Sequence, residues 1–217
     1  MVKNIEEWKI PDGEVMRLSY LLNKEKQQKI FDLGCGLGRH VIYLARKGFQ
    51  VSGTDISERA VEFTNNWLKK EKLNADIKKG TFLSINQPDN SFDLVIALNV
   101  IYHGFKKDII QGFSEVLRIL KPRGIFYGTL KTKHKDELFD NQGIEIIDNQ
   151  TIILKEGIEA NVPHFFSYKE DLIDFFRGFE IDKITYCEYY YPPLLLEAFM
   201  KKLGSGYFHF TIKKPSN

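Results

Sequence analysis

The sequence predicts an α/β protein built on a doubly wound, mostly parallel sheet with helices on both faces, and three observations carry that expectation. Short apolar runs alternate along the chain with segments whose apolar residues recur at helical spacing, the pattern of strands joined by right-handed helical crossovers. The run from Phe92 to Leu98 is almost continuously apolar, as a strand covered on both faces requires. The first strand ends in a glycine-rich stretch, DLGCGLG, where it passes into a helix.

Taken in order, Ile30 to Leu33 forms the first strand. Val41, Leu44 and Ala45 then keep helical spacing until Gly48 offers a left-handed stop. Phe49 to Thr54 is the second strand. Ser57 is the expected N-cap of a helix bearing Ala60, Val61, Thr64, Trp67 and Leu68 on one face, with Lys69, Lys70 and Lys72 at its negative end. Ala75 to Lys79 and Phe92 to Leu98 follow as strands three and four. Ile109, Ile110, Phe113, Val116, Leu117 and Leu120 form a helical stripe, closed by the turn Lys121-Pro122-Arg123-Gly124 before strand five, Ile125 to Leu130. Asp93 and Asp108 read as a strand-edge and a helix-cap residue.

Ser167 and Glu170 predict a capping box for a helix carrying Leu172, Ile173 and Phe176, which Gly178 ends. Strands Phe179 to Tyr186 and Tyr207 to Lys213 close the chain. Two segments stand outside this alternation. Residues 1–28, with Trp8, Val15, Leu18, Leu21 and Leu22, read as an amphipathic helical lid, and residues 133–166 as an insertion over a pocket. The whole, 1–217, is expected to be one domain.

Composition narrows the class of partner. The chain has 217 residues, 43% of them hydrophobic, and a net charge of only +2 with both signs interspersed, so no general surface for nucleic acid is expected. No apolar run is long enough to cross a bilayer and the N-terminus lacks a signal-peptide pattern, so a cytoplasmic protein without membrane contact is expected. The two cysteines, Cys35 and Cys187, have no metal or disulfide spacing, and no acidic cluster has convincing ligand spacing. No metal is therefore expected, and the oligomeric state is left open.

The glycines raise the functional question. At the carboxyl end of the first strand of such a sheet, glycines let the backbone approach a ligand in the crevice where strand order reverses. Gly34, Gly36 and Gly38 stand there with GxGxG spacing, preceded by Asp32, rather than the GxGxxG of dinucleotide sites. Asp55 ends the second strand, where a carboxylate can accept hydrogen bonds from vicinal ribose hydroxyls.

DLGCGLG with Asp55, NSFDLVIALNVIYH at strand four and LRILKPRGIFYGTL before strand five together resemble the class I S-adenosylmethionine-dependent methyltransferases, over nearly the whole chain. The N-terminal segment with Trp8, GLGRHVIYLARKGF and the stretch VPHFF are most similar to small bacterial members of the tellurite-resistance and type 11/25 methyltransferase-domain group. The resemblance implies a Rossmann-like seven-stranded sheet with its last strand antiparallel, S-adenosyl-L-methionine as cofactor, and in-line displacement at its methyl group. By position it implies that Gly34, Cys35, Gly36 and Gly38 lie along the methionine part, Asp32 holds the amino group and Asp55 the ribose. Many relatives carry an acid for the adenine where this chain has Gly80-Thr81-Phe82; Thr81 could accept a hydrogen bond there, and Phe82 or Ile56 could pack on the ring.

The acceptor in this family sits beside Asn99, Val100, Ile101, Tyr102 and His103, with Asn99 also among the implied cofactor contacts. Neither an Asn-Pro-Pro-Tyr-like stretch nor a Pro-Cys pair is present, which favours a small-molecule acceptor over RNA or protein. His103 and His164 are the candidate bases and Tyr102 an orienting hydroxyl. Cys35 as a nucleophile lacks a base in its motif. Two other classes stay open: a non-catalytic S-adenosylmethionine-binding regulator, and an NAD(P)-binding reductase, against which the glycine spacing and the missing Tyr-xxx-Lys pair argue.

Overall fold

Strand alternation in the first half of the chain sorts side chains to two faces and thereby sets the layers. On β1 (Lys29–Leu33), Phe31 and Leu33 enter one core cluster while Ile30 enters the other; on β4 (Phe92–Ala97), Val95 and Ala97 join the first and Leu94 and Ile96 the second. The computed structural model describes residues 9–24, 29–133, 143–157, 159–187 and 205–216. With β2 (Gln50–Asp55), β3 (Asp76–Lys79), β5 (Leu120–Lys133), β9 (Glu180–Cys187) and β10 (Ser205–Lys213), these strands form a seven-stranded sheet in the order β3-β2-β1-β4-β5-β10-β9. β10 runs antiparallel to both its neighbours, while β1 pairs in parallel with β2 on one side and β4 on the other. Strand order reverses between β1 and β4, so their carboxyl ends define the crevice.

Helices α1 (Gly13–Lys24), α2 (Arg39–Arg46) and α3 (Glu58–Glu71) serve one face, and α4 (Lys106–Ile119) and α5 (Asp171–Phe175) the other. Ser57 accepts the Ala60 N–H across 3.3 Å, and Lys72 ends α3 in a left-handed conformation at φ 56°. Asp108 caps α4 by accepting the Phe105 N–H at 2.9 Å, and Asp93 is tied to Lys121 at 2.8 Å and to the Lys29 N–H at 2.9 Å.

Two local expectations are corrected. Ser167 forms no capping box: its hydroxyl is buried without a hydrogen-bond partner among the described residues, and Asp171 takes the Tyr168 N–H at 2.7 Å instead. Ser167 is committed elsewhere, because its N–H donates to Lys131 O at 2.7 Å. Strand five is longer than its apolar run, since β10 pairs with it from Ile125 as far as Lys133. The N-terminal helix packs into the core, with Val15, Leu18 and Leu22 fully buried beside Val41 and Leu44. Asp12 starts this helix by accepting the Glu14 N–H at 2.9 Å, and Tyr127 of β5 donates to the same carboxylate at 3.0 Å. Trp8 lies outside the described residues, as do parts of 1–28 and 133–166.

The described part of the insertion is a three-stranded sheet of β6 (Ile144–Ile146), β7 (Thr151–Leu154) and β8 (Pro163–Phe165). Asp148 shapes its first turn by accepting the N–H groups of Gln150 and Thr151, both at 2.7 Å. The Phe165 N–H donates to Tyr102 O at 2.9 Å, which fastens this sheet over the loop that follows β4. Among the described residues no helix is long and apolar enough to cross a membrane.

Candidate active site

The loop from Gly34 to Gly38 uses its three glycines for three different purposes. A Cβ on Gly34 would overlap Val100, and one on Gly38, the N-cap of α2 at φ 87°, would come within 2.6 Å of Thr64. Both positions are demanded by packing of the protein against itself. At Gly36, with φ 54°, a Cβ would meet nothing within 4 Å, so this is the point where the loop faces open space. Asp55 Oδ2 accepts the Gly36 N–H at 2.8 Å and Oδ1 accepts the Ser57 N–H at 2.9 Å, so one carboxylate joins the glycine loop to the start of α3. Each oxygen keeps a lone pair free for a further donor.

Asp32 lies beneath this loop on the α2 face. It is buried, its Oδ2 has no hydrogen-bond partner among the described residues, and burial pushes its carboxyl up to about 7 despite the pull of Arg39. His40 is its nearest ionisable neighbour, with Nδ1 at 3.8 Å from Oδ2. Burial pulls His40 down to about 3, and its Nε2 accepts the Asp12 N–H at 3.2 Å. The ring is therefore neutral with its proton on Nδ1, and supplies no positive charge to Asp32.

Cys35 turns away from this space into the core. Burial pushes its thiol well above its usual range, its N–H donates to Thr54 O at 2.9 Å, and its carbonyl accepts the Gly38 N–H at 3.0 Å. Its backbone N–H is thus committed and its thiol held in the protonated form. Phe82 is buried in the α4-side core, in the slot that Gly112 leaves, where a Cβ would come within 2.7 Å of its ring. Ile56, beside Asp55, is 76% exposed and remains a platform for a ring. Thr81 Oγ1 accepts the Leu83 N–H at 3.3 Å and keeps a lone pair. Asn99 follows β4 at φ 59°, its N–H donating to Thr129 Oγ1 at 2.8 Å.

Tyr102, His103 and His164 come together although they are far apart in sequence. Ring centroids lie 4.4 Å apart for Tyr102 and His103, 4.9 Å for His103 and His164, and 6.4 Å for Tyr102 and His164. Two residues missing from the sequence expectation complete the cluster. Glu159 places Oε2 at 3.2 Å from His164 Nε2 and Oε1 at 3.5 Å from His103 Nε2. Lys131, near the end of β5, holds its ammonium 5.1 Å from the Tyr102 ring centroid and 5.5 Å from that of Phe166.

The neighbouring His103 above all holds the Glu159 carboxyl down at about 2, so it is ionised. Burial pulls His164 down to about 3 and pulls Lys131 below its usual range. Burial thus favours the neutral form of the His164 imidazole. Lys131, as an amine deprotonated more readily than usual, suits proton acceptance. No local motif marks it, because its placement depends on β5 continuing past its apolar run.

Residues 30–124 match the family model described as a methyltransferase domain. The sterol 24-C-methyltransferase erg-4 of Neurospora crassa is 29% identical over 168 residues, 69% of this chain and 43% of that protein. The sterol 24-C-methyltransferase erg6 of Aspergillus fumigatus is 29% identical over 215 residues, 91% of this chain and 52% of that protein. The chain thus spans about half the length of these curated relatives. The crystal structure of the PH0226 protein from Pyrococcus horikoshii OT3 superposes with a TM-score of 0.69 at 21% identity, covering 97% of this chain and 92% of that one, and so shares the fold.

Proposed function

We propose that the methyltransferase domain this chain carries, of the class I S-adenosylmethionine-dependent type, transfers a methyl group from S-adenosylmethionine to a small-molecule acceptor. The observation that carries this reading is Asp32: a buried carboxyl with one oxygen that has no hydrogen-bond partner among the described residues, on the strand that leads into the glycine loop. A cofactor ammonium group would satisfy that oxygen and stabilise its ionised form. Asp55 would use its remaining lone pairs for the ribose hydroxyls, Ile56 would cover one face of the adenine and Thr81 would approach its edge.

When bound, S-adenosylmethionine supplies a methyl carbon open to displacement of its sulfonium. The acceptor would lie against Asn99, Tyr102 and His103, and most of the acceleration would come from alignment. Where the acceptor must lose a proton, Lys131 is the group able to take it. The sterol substrate in the relatives' names and the insertion sheet fastened beside Tyr102 both support a small-molecule acceptor. The free thiols of Cys35 and Cys187 fit the reducing cytoplasm.

Calorimetry with S-adenosylhomocysteine, followed by transfer of labelled methyl from S-adenosylmethionine to a panel of small acceptors, tests the reading. We expect binding in the wild type and clearly weaker binding in Asp55→Ala. A folded wild-type protein that binds neither compound would overturn it, and NADH binding in their place would favour the reductase.

A further inference from the structure

We propose that His103, Glu159 and His164 form a binding site for one divalent transition-metal ion at the edge of the acceptor site. The donor atoms of the three side chains all lie within 4.8 Å of one another. Metal–ligand distances of about 2.0–2.2 Å place tetrahedral donors roughly 3.3–3.5 Å apart. His103 Nε2 and His164 Nε2 stand 3.5 and 3.2 Å from the two Glu159 oxygens. Charge-assisted hydrogen bonds close to about 2.7–2.9 Å. The two nitrogens thus face the two oxygens of one carboxylate, and neither makes a well-aligned hydrogen bond to it.

The second observation is the orphaned histidine. His164 is 1% exposed, yet neither of its ring nitrogens has a hydrogen-bond partner among the described residues, and Nε2 of His103 is likewise buried without one. Buried polar atoms are nearly always partnered, and an ion held by both Nε2 atoms would satisfy them together. Two imidazoles and one carboxylate suit zinc, cobalt or iron rather than magnesium or calcium, which prefer oxygen donors.

The donors come from the loop after β4, the segment before β8 and β8 itself. The Phe165 N–H to Tyr102 O bond of 2.9 Å clamps these parts together, so the set is built before any ion arrives. Three protein ligands leave a coordination position open, as catalytic rather than structural sites do. Lys131 faces the cluster from β5, with its side-chain nitrogen 5.1 Å from the Tyr102 ring centroid. The sequence expectation of no metal rested on ligand spacing along the chain, which does not register donors assembled from separate loops.

The site does not depend on methyl transfer. The whole chain, stripped with a chelator, is titrated with Co²⁺ while its visible d–d absorption is recorded, and with Zn²⁺ in a calorimeter. We expect one ion per chain in both titrations. Glu159→Gln and His103→Ala, which alter partly exposed side chains, are expected to fold, as judged by circular dichroism, and to weaken Co²⁺ binding at least about 100-fold. That is the upper end of what loss of a merely supporting residue causes. Absence of stoichiometric binding in the wild type, or wild-type affinity in both folded variants, would overturn the proposal. Co²⁺ binding by a protein that fails to bind S-adenosylhomocysteine would strike the proposed function and leave this site standing.

Discussion

Replacing Asp32 by Asn should make the protein more stable and a worse binder, with both effects depending on pH. The folded-state pKa of Asp32 is raised from its ordinary 3.8 to about 7, chiefly by burial. Between those values the folded chain holds a proton that the unfolded chain has released, so stability falls as pH rises through that window and is level above it. The full loss is about 4 kcal/mol, of which more than a third is already incurred at pH 5. Asn has the same shape and never ionises. Its stabilisation over the wild type should therefore be greater at pH 8 than at pH 5 by about 2–3 kcal/mol in urea denaturation.

The same carboxylate should attract the cofactor's ammonium only when ionised. Wild-type affinity for S-adenosylhomocysteine should then rise about tenfold from pH 6 to pH 8, and the Asn variant should show a flat profile. At pH 8 the variant should bind about 10–150-fold more weakly, the equivalent of one hydrogen bond to a charged group. An equal change in the variant's stability at both pH values, or a wild-type affinity independent of pH, would refute the view of Asp32 as a buried carboxylate awaiting a cation.

The glycine loop should divide its two roles by substitution. Gly34→Ala, driven into Val100, should lower stability by about 1–3 kcal/mol, whereas Gly36→Ala should lose about 1–2 kcal/mol to its left-handed backbone but lose cofactor binding far more severely; thermal melts and calorimetry on both compare the two quantities. Asp55→Ala should weaken S-adenosylhomocysteine binding by about 1.5–3 kcal/mol, and unchanged affinity by calorimetry would remove Asp55 from the site. His103→Ala should lower methyl transfer to a working acceptor much more than it lowers cofactor affinity, and a parallel fall in both would place His103 on the cofactor side. Lys131→Met, which keeps much of the buried bulk, should retain cofactor binding while slowing transfer to acceptors that must shed a proton, as measured with labelled cofactor.

The sheet and its glycine loop were legible because their signals are local. Strand and helix periods lie within a few residues of themselves, as at Phe92 to Leu98, and the Ser57 cap announces itself beside its own helix. The remainder depended on residues distant in sequence. Phe82 is withdrawn from the crevice because Gly112, thirty residues later on α4, lacks the Cβ that would fill its slot. Lys131 reads as the polar end of a strand until Ser167 and β10 pair beside it and carry the ladder onward. Glu159 sits among unremarkable polar residues and gains meaning only when β8 folds back beside the loop after β4. Cys35 looks available in a glycine-rich motif, yet the spacing that frees Gly36 turns the intervening side chain inward.

The antiparallel strand β10 also governs the order in which the sheet can be completed during synthesis. Its place is between β5 and β9, although it follows both in the chain. While residues 205–213 are still within the ribosome, β5 presents an open edge whose neighbouring strand positions run from Ile125 to Lys133, and β9 has no strand to pair with. An exposed edge of that length is a template for pairing with other nascent chains. Chaperone dependence should accordingly be concentrated in the interval between emergence of β5 and emergence of β10, and a stalled chain ending before Ser205 should be the species that aggregates.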